Sequence, residues 1–316
     1  MNDKPAVSVI IATRNEEKNI GNCIQSILRQ TYKNVKIIVV DKGSSDKTRE
    51  IAESFGARVF DLTKEIDLDG IKNFRGAQVN LGVKKAKVEI IFFPDADMTF
   101  DEGLLAEAVM MLAEYDALYI PEIVMGKGLM GAIRRFERSF YNGTPIDAVR
   151  IVKRDIFEKV GGFDERNIAF STDDWDLTKM IKKVTDKMSI TKSQLYHNEA
   201  QISLPQYLQK KSQYADTFAD YVNKWGKNDP DIKKQFGFYY RFFGVFLEKG
   251  SVYEKVIKQL KEIHEVVEAH YTTGSYSIFL KVICRNTEHL REVLGEKIQS
   301  VQGVQRTETF ISLEES

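Results

Sequence analysis

Apolar positions in the first 120 residues follow two alternating rhythms. Short, mostly apolar runs rich in β-branched residues occur at residues 7–11, 35–40 and 88–93, with a shorter one at 57–60. Between them, apolar residues recur three and four apart, as do Ile20, Ile24, Ile27 and Leu28 within 16–30. That spacing is one face of a helix, and further helices are expected over 46–55, about 71–86 and 102–113. Strands without polar alternation, separated by helices, predict a mostly parallel sheet covered on both faces. Ligands of such sheets sit beyond the carboxyl ends of the strands, and those ends are where chemistry is sought.

Residues 121–236 are richer in aromatics and less regular. A basic amphipathic helix is expected near 129–141, a strand at 148–153, a Gly-Gly-Phe-Asp-Glu turn, a helix from Asp173 and a long helix over about 204–225. Asn228-Asp-Pro230 breaks the pattern. The remainder reads as strand 238–247, helix 252–263, strands 266–271 and 276–283 joined at Thr273-Gly-Ser, helix 287–298 and strand 303–313. That order, βαββαβ, is the pattern of small ferredoxin-like domains. Two domains follow, 1–237 and 238–316.

Composition narrows the class. The chain has 316 residues with 46 Lys+Arg against 46 Asp+Glu, which removes the overall case for a nucleic-acid partner. Its two cysteines and four histidines do not cluster, so no Cys/His zinc site is legible. No apolar run approaches the length of a membrane span and the N-terminus lacks a signal-peptide pattern; a cytoplasmic protein is expected. Neutrality is an average, however. Residues 127–154 hold seven basic residues and two acidic ones. A helix there with Arg134, Arg135 and Arg138 could meet an anionic membrane surface or a phosphate, or simply present a solvated face.

Three strand ends carry polar clusters. Asp95-Ala-Asp97 follows the run at 88–93; extended residues two apart point the same way, and paired carboxylates suit magnesium or manganese. The same residues also fit a solvated turn. Asp41, before Lys42-Gly-Ser-Ser, can accept from a base or ribose, and Thr13-Arg-Asn-Glu16 supplies a third polar end. Thr172-Asp173-Asp174-Trp175-Asp176 opens a helix; one carboxylate there serves the helix dipole, and another could act as general base. Trp175 fits a stacking wall or a core position, and His197 taken alone fits a structural role. Gly126-Lys-Gly-Leu-Met-Gly131 spells a dinucleotide fingerprint but sits after the fifth strand instead of the first, so a nicotinamide or flavin site is set aside.

In order, VSVIIATRNEEKNI, IIVVDKGSSDKT, RGAQVNLG, FFPDADM, GGFDE and TDDWDL resemble family 2 inverting glycosyltransferases of the GT-A fold, over about residues 6–225. The resemblance implies a nucleotide-diphospho-sugar donor held through manganese or magnesium. Asp97 would be the main metal ligand, with Asp95 and His197 beside it. Asp95 and Ala96 would face the nucleotide, and Asp41 with Ala12, Thr13, Arg14 and Glu16 the base and ribose. Lys72 and Arg75 would lie near the diphosphate. Asp173-Asp174 occupies the position of the family's acidic pair, which makes Asp174 the expected catalytic base. Trp175, Arg134, Arg135 and Arg138 would face a saccharide or lipid-phosphate acceptor. Departures are Ala12 for a common Pro, Lys42 for a second Asp and Asp173 for Glu; the first two bear on nucleotide choice.

EVVEAHYTTGSYSIFLKV and GVQRTETFISL resemble the ligand-sensing module of Lrp/AsnC-type regulators, over about 238–316. No helix-turn-helix precedes it, so the module implies homo-oligomer assembly and not DNA binding. The expected function is a metal-dependent glycosyltransferase assembled by its C-terminal domain. Two alternatives stand beside it: a small-molecule-sensing regulator with a non-catalytic nucleotide-binding domain, and a nucleotidyltransferase.

Overall fold

The computed structural model describes residues 5–199, 209, 217–271, 278–301, 304 and 307–309. It divides into two compact units, Met1–Gly237 and Phe238–Ser316.

The first unit is built on a seven-stranded sheet of order β3-β2-β1-β4-β8-β6-β9. The strands are β1 Val7–Thr13, β2 Val35–Asp41, β3 Arg58–Asp61, β4 Ile90–Phe92, β6 Ala117–Tyr119, β8 Val149–Lys153 and β9 Met188–Ile190. β1, β2, β3 and β4 run parallel, β8 is antiparallel to both β4 and β6, and β9 is parallel to β6. Side chains alternate between two cores because successive residues of a strand face opposite sides. Val9, Ile11, Val39 and Phe92 face one core; Ile10, Ile38, Val40, Ile91 and Phe93 face the other. The first core is closed by α1 Ile20–Leu28 and α5 Leu104–Met111, the second by α4 Phe74–Lys85 and α8 Asp173–Lys182. Gly82 lets α4 approach the sheet: a Cβ there would stand 2.2 Å from Cγ2 of Ile10.

A second sheet of three short strands, order β5-β10-β7, packs beside the rim. These are β5 Met98–Phe100, β7 Glu122–Val124 and β10 Leu195–His197. Residues 117–124 thus form two strands in two sheets, parted at Pro121, whose missing N–H cannot continue a ladder. The helix expected at 204–225 is described as Phe218–Trp225; most of its earlier part lies outside the described residues.

In the second unit, β11 Val266–Tyr271 and β12 Ile278–Val282 form an antiparallel hairpin, and Thr287–Glu292 is helical. Residues 238–247 are not the expected strand. Tyr240–Gly244 is a π-helical turn leading directly into the helix Val245–Lys261. Aromatic composition favours a strand only where a neighbouring strand supplies hydrogen bonds; here the backbone pairs within its own helix. Most of the final strand expected at 303–313 lies outside the described residues.

Candidate functional site

The carboxyl ends of β1, β2 and β4 meet on one rim, as the strand pattern predicts. Gln78 of α4 staples two of them, its amide Nε2 donating to Thr13 O at 2.8 Å and Val40 O at 2.6 Å. Asn15 occupies the left-handed region at φ 58°, which a short polar side chain tolerates. Its N–H donates to Ser44 Oγ and its side chain accepts from Ser45 N. Asp41 lies beneath this turn, fully buried. It accepts from Ser44 N at 2.8 Å and Thr13 Oγ1 at 3.2 Å, and also from Ser44 Oγ. Asp41 therefore organises the turn from below, while Ala12, Arg14 and Glu16 reach its surface. Burial raises the Glu16 carboxyl above its usual range, aided by negative charge on Asp97, Asp95 and Asp46.

β4 ends at Phe92, and the chain then turns so that Met98 N donates to Asp95 O. That turn separates the two aspartates, which do not project together as an extended segment would place them. Asp95 faces arginines: Arg75 Nε lies 2.7 Å from Oδ1, and Arg150 Nη1 3.3 Å from Oδ2. Burial opposes its charge, but the two guanidiniums outweigh that and hold the carboxyl at about 2. Asp97 faces His197 instead, with Nε2 3.2 Å from Oδ2. Its other oxygen, Oδ1, is buried without a hydrogen-bond partner among the described residues.

The same arginines reach the N-terminus of α8. Arg75 Nη1 lies 2.9 Å from Asp174 Oδ1 and 3.2 Å from Asp173 Oδ2, and Arg150 Nη1 lies 3.2 Å from Asp174 Oδ2. Asn73, N-cap of α4, accepts from Gly76 N and donates to Asp173 Oδ2 at 3.2 Å. Three carboxylates and two guanidiniums thus form one cluster. Burial pushes Asp173 up to about 7: Arg75 pulls the other way, and the charges on Asp174 and Asp95 add to the rise.

His197 stands between two acids, its Nδ1 2.9 Å from Glu122 Oε1. Burial alone would lower its pKa; hydrogen bonds to Asp97 and Glu122 reverse that and raise it to about 10. Asp97 Oδ1 suits a divalent cation as it stands, and His197 Nε2 would join it as a second protein ligand once its proton is displaced. No third His, Cys, Asp or Glu converges with them among the described residues. That count suits a cation whose remaining positions are filled by phosphate oxygens and water.

Other expected site residues lie elsewhere. Lys72 is half-exposed and pairs with Asp220 at 3.0 Å. Trp175 is partly buried, packs against Tyr221 and Phe236, and its indole N–H donates to Ile146 O. The basic helix α6, Gly128–Ser139, is turned the opposite way from a solvated cationic face. Arg134 pairs with Glu199 and Glu137, Arg138 with Glu122 and Asp147, and Arg135 donates to Val124 O and Gly126 O. Glu137 and Asp147 belong to the basic window itself, whereas Glu122 and Glu199 come from outside it, so part of the window's excess charge is neutralised inside the fold. Leu129, at 77% exposed, Ile133 and Phe136 form the outer face.

Arg150, Asn73, Gln78 and Glu122 were not among the site residues expected from sequence. Arg150 had a legible signal: a lone arginine inside the apolar run 148–152 must find partners if its strand is buried.

Residues 8–171, just over half of the chain, match Glycosyl transferase family 2. The chain belongs to that family. Its fold is GT-A: TarS from S. aureus superposes with a TM-score of 0.51 at 15% identity, covering 88% of this chain and 60% of that one. Mannosyltransferase PcManGT from Pyrobaculum calidifontis, solved with GDP-Man and Mn2+, gives 0.52 at 19% identity, covering 82% and 76%. The 4,4'-diaponeurosporenoate glycosyltransferase of Staphylococcus aureus is 41% identical over 95 residues, 30% of this chain and 24% of that protein. Residues 241–316 match the Lrp/AsnC ligand binding domain. Regulatory protein AsnC of Haemophilus influenzae is 52% identical over 73 residues, 23% of this chain and 49% of that protein. This family 2 chain therefore spans about half the length of its AsnC relatives and about a quarter of the staphylococcal enzyme.

Proposed function

We propose that the chain transfers a sugar from a nucleotide-diphospho-sugar to an acceptor at the rim formed by β1, β2 and β4, with a divalent cation. One observation carries this reading. Among the eight buried side-chain atoms that lack partners within the described residues are two of opposite character at this site, the donor Arg75 Nη2 and the acceptor Asp97 Oδ1. Buried polar groups are nearly always satisfied, and a diphosphate with its cation supplies an acceptor for the first and a positive ion for the second. Asp97 and His197 would hold manganese or magnesium, which when bound stabilises the leaving diphosphate as a Lewis acid.

Arg75 and Arg150 are the groups here suited to the phosphate charge, since guanidinium forks match phosphate oxygens. Asp174, partly exposed between them, is the base for a hydroxyl acceptor and removes its proton as the anomeric carbon is attacked, inverting the configuration. A lipid-phosphate acceptor would need no base. Trp175 and the arginines of α6 support the acceptor side by packing.

Peripheral membrane contact is proposed through the outer face of α6, supported by Leu129, Ile133 and Phe136, with Lys127 exposed beside them. No helix among the described residues is long and apolar enough to cross a membrane. Homo-oligomer assembly is proposed through 238–316, supported by the exposed Val267, Phe279 and Ile283 of the hairpin region.

The test is thermal denaturation with UDP-, GDP- and TDP-sugars, with and without manganese. A cognate donor at about a hundred times its dissociation constant adds roughly 2.7 kcal/mol. The shift should require manganese and vanish in Asp97→Ala; no shift with any donor counts against the reading. Release of pyrophosphate instead of a nucleoside diphosphate would make the chain a nucleotidyltransferase.

A further inference from the structure

The side chains behind His197 form a buried relay. Glu122 is on β7 and His197 on β10, and the two strands pair in parallel with Leu195 opposite Glu122. β10 also pairs antiparallel with β5, setting His197 opposite Met98, next to Asp97. The three-stranded sheet thereby lines up Asp97, His197 and Glu122, with Oδ2···Nε2 at 3.2 Å and Nδ1···Oε1 at 2.9 Å. The second oxygen of Glu122 is 2.9 Å from Arg138 Nη2. That nitrogen is also 2.7 Å from Asp147 Oδ1, and Asp147 Oδ2 accepts from Gly143 N at 2.7 Å. Glu122, Arg138 and Asp147 each expose about a tenth or less of their side chains.

A carboxylate can only accept. Facing Glu122 and Asp97, His197 therefore donates from both Nδ1 and Nε2 in the ligand-free site; a cation at Nε2 would displace the proton there, and the contact with Glu122 keeps the other on Nδ1. We propose that Glu122 is the positioning residue of the candidate cation site: it fixes the ring orientation and tautomer of His197, and Arg138, clamped by Asp147, holds Glu122 in place. This rests on the cation reading above. It assigns a role to a helix whose arginines face the protein: α6 secures the site from behind. Metal-bound histidines generally donate their other ring N–H to such a partner, and losing that partner costs about 10- to 100-fold in metal affinity.

The experiment uses the full chain and MnCl2 alone, with binding followed by electron paramagnetic resonance, in wild type, Glu122→Gln and Asp97→Ala. Glu122→Gln should weaken manganese about 10- to 100-fold, with little change in the melting temperature measured in EDTA. A purely structural role would lower that melting temperature and leave the affinity of the folded protein unchanged. Wild-type affinity in Glu122→Gln, with binding lost in Asp97→Ala, overturns the role of Glu122 and leaves the cation site standing. Wild-type affinity in Asp97→Ala overturns both. Should Glu122→Gln not fold, nitrogen chemical shifts of the His197 ring in the wild-type protein with Mg2+ decide the matter. Protonated Nδ1 with unprotonated Nε2 is expected, and the opposite tautomer overturns the proposal.

Discussion

Arg75 Nη1 lies 2.9 Å from Asp174 Oδ1, so a guanidinium from the first turn of α4 holds a carboxylate from the first turn of α8. Through the same side chain both are joined to Asp95 at the end of the central sheet. The group expected to meet the diphosphate and the group expected to activate the acceptor are therefore direct partners in the ligand-free site. Removing either has consequences for the other.

Arg75→Met should destabilise the fold by about 3–5 kcal/mol, because it leaves neighbouring buried carboxylates uncompensated. Adding Asp95→Asn removes one of those charges and should recover part of the loss. Urea denaturation of the single and double variants measures both, and strict additivity would show that the two residues do not interact.

Asp174→Asn separates the acceptor classes. With a hydroxyl acceptor, loss of the base should lower kcat by about 10²- to 10⁴-fold. With a phosphate acceptor the change should stay within about tenfold, less than the loss of a general base. Steady-state transfer assays on both acceptor types distinguish the outcomes.

Stability should carry a pH signature from Asp173. Its folded pKa is raised to about 7, so the folded state keeps a proton that the unfolded chain releases near pH 4. The resulting stabilisation is complete below about pH 4 and is lost as pH rises through 7. The slope of unfolding free energy against pH over this range should be more negative in the wild type than in Asp173→Asn. The difference is at most about 1.4 kcal/mol per pH unit. Urea melts between pH 4.5 and 7.5 check it, and identical slopes would mean that Asp173 ionises at ordinary pH.

The outer face of α6 makes a separate prediction. The protein should float with vesicles containing anionic lipid, and Leu129→Ser/Ile133→Ser should reduce the bound fraction severalfold, since insertion scales with buried apolar area. Equal flotation of the two proteins would remove α6 from the membrane contact.

Much of the fold was legible from periodicity. The runs at 7–11, 35–40 and 88–93 became β1, β2 and β4 because strands buried on both faces need apolar residues at every position. Residues 238–247 misled because an aromatic-rich composition occurs in strands and helices alike, and only the availability of a pairing strand separates them. The site was legible as a set of strand ends. The relative direction of Asp95 and Asp97 was not, because it depends on a turn whose partners, Arg75, Arg150 and His197, arrive from other elements.

The division between chain and tertiary structure follows from range. Local pattern determined most strands and helices of the first unit and which polar clusters end its central strands, since these depend on neighbours a few residues away. Which charge meets which was decided only by folding. Arg138 reads as part of a solvated cationic face until β7 and the loop at 147 bring Glu122 and Asp147 against it, and Arg150 reads as one more base until it lies between Asp95 and Asp174. An ion pair is strong only where water is excluded, and exclusion of water is a property of the packed fold.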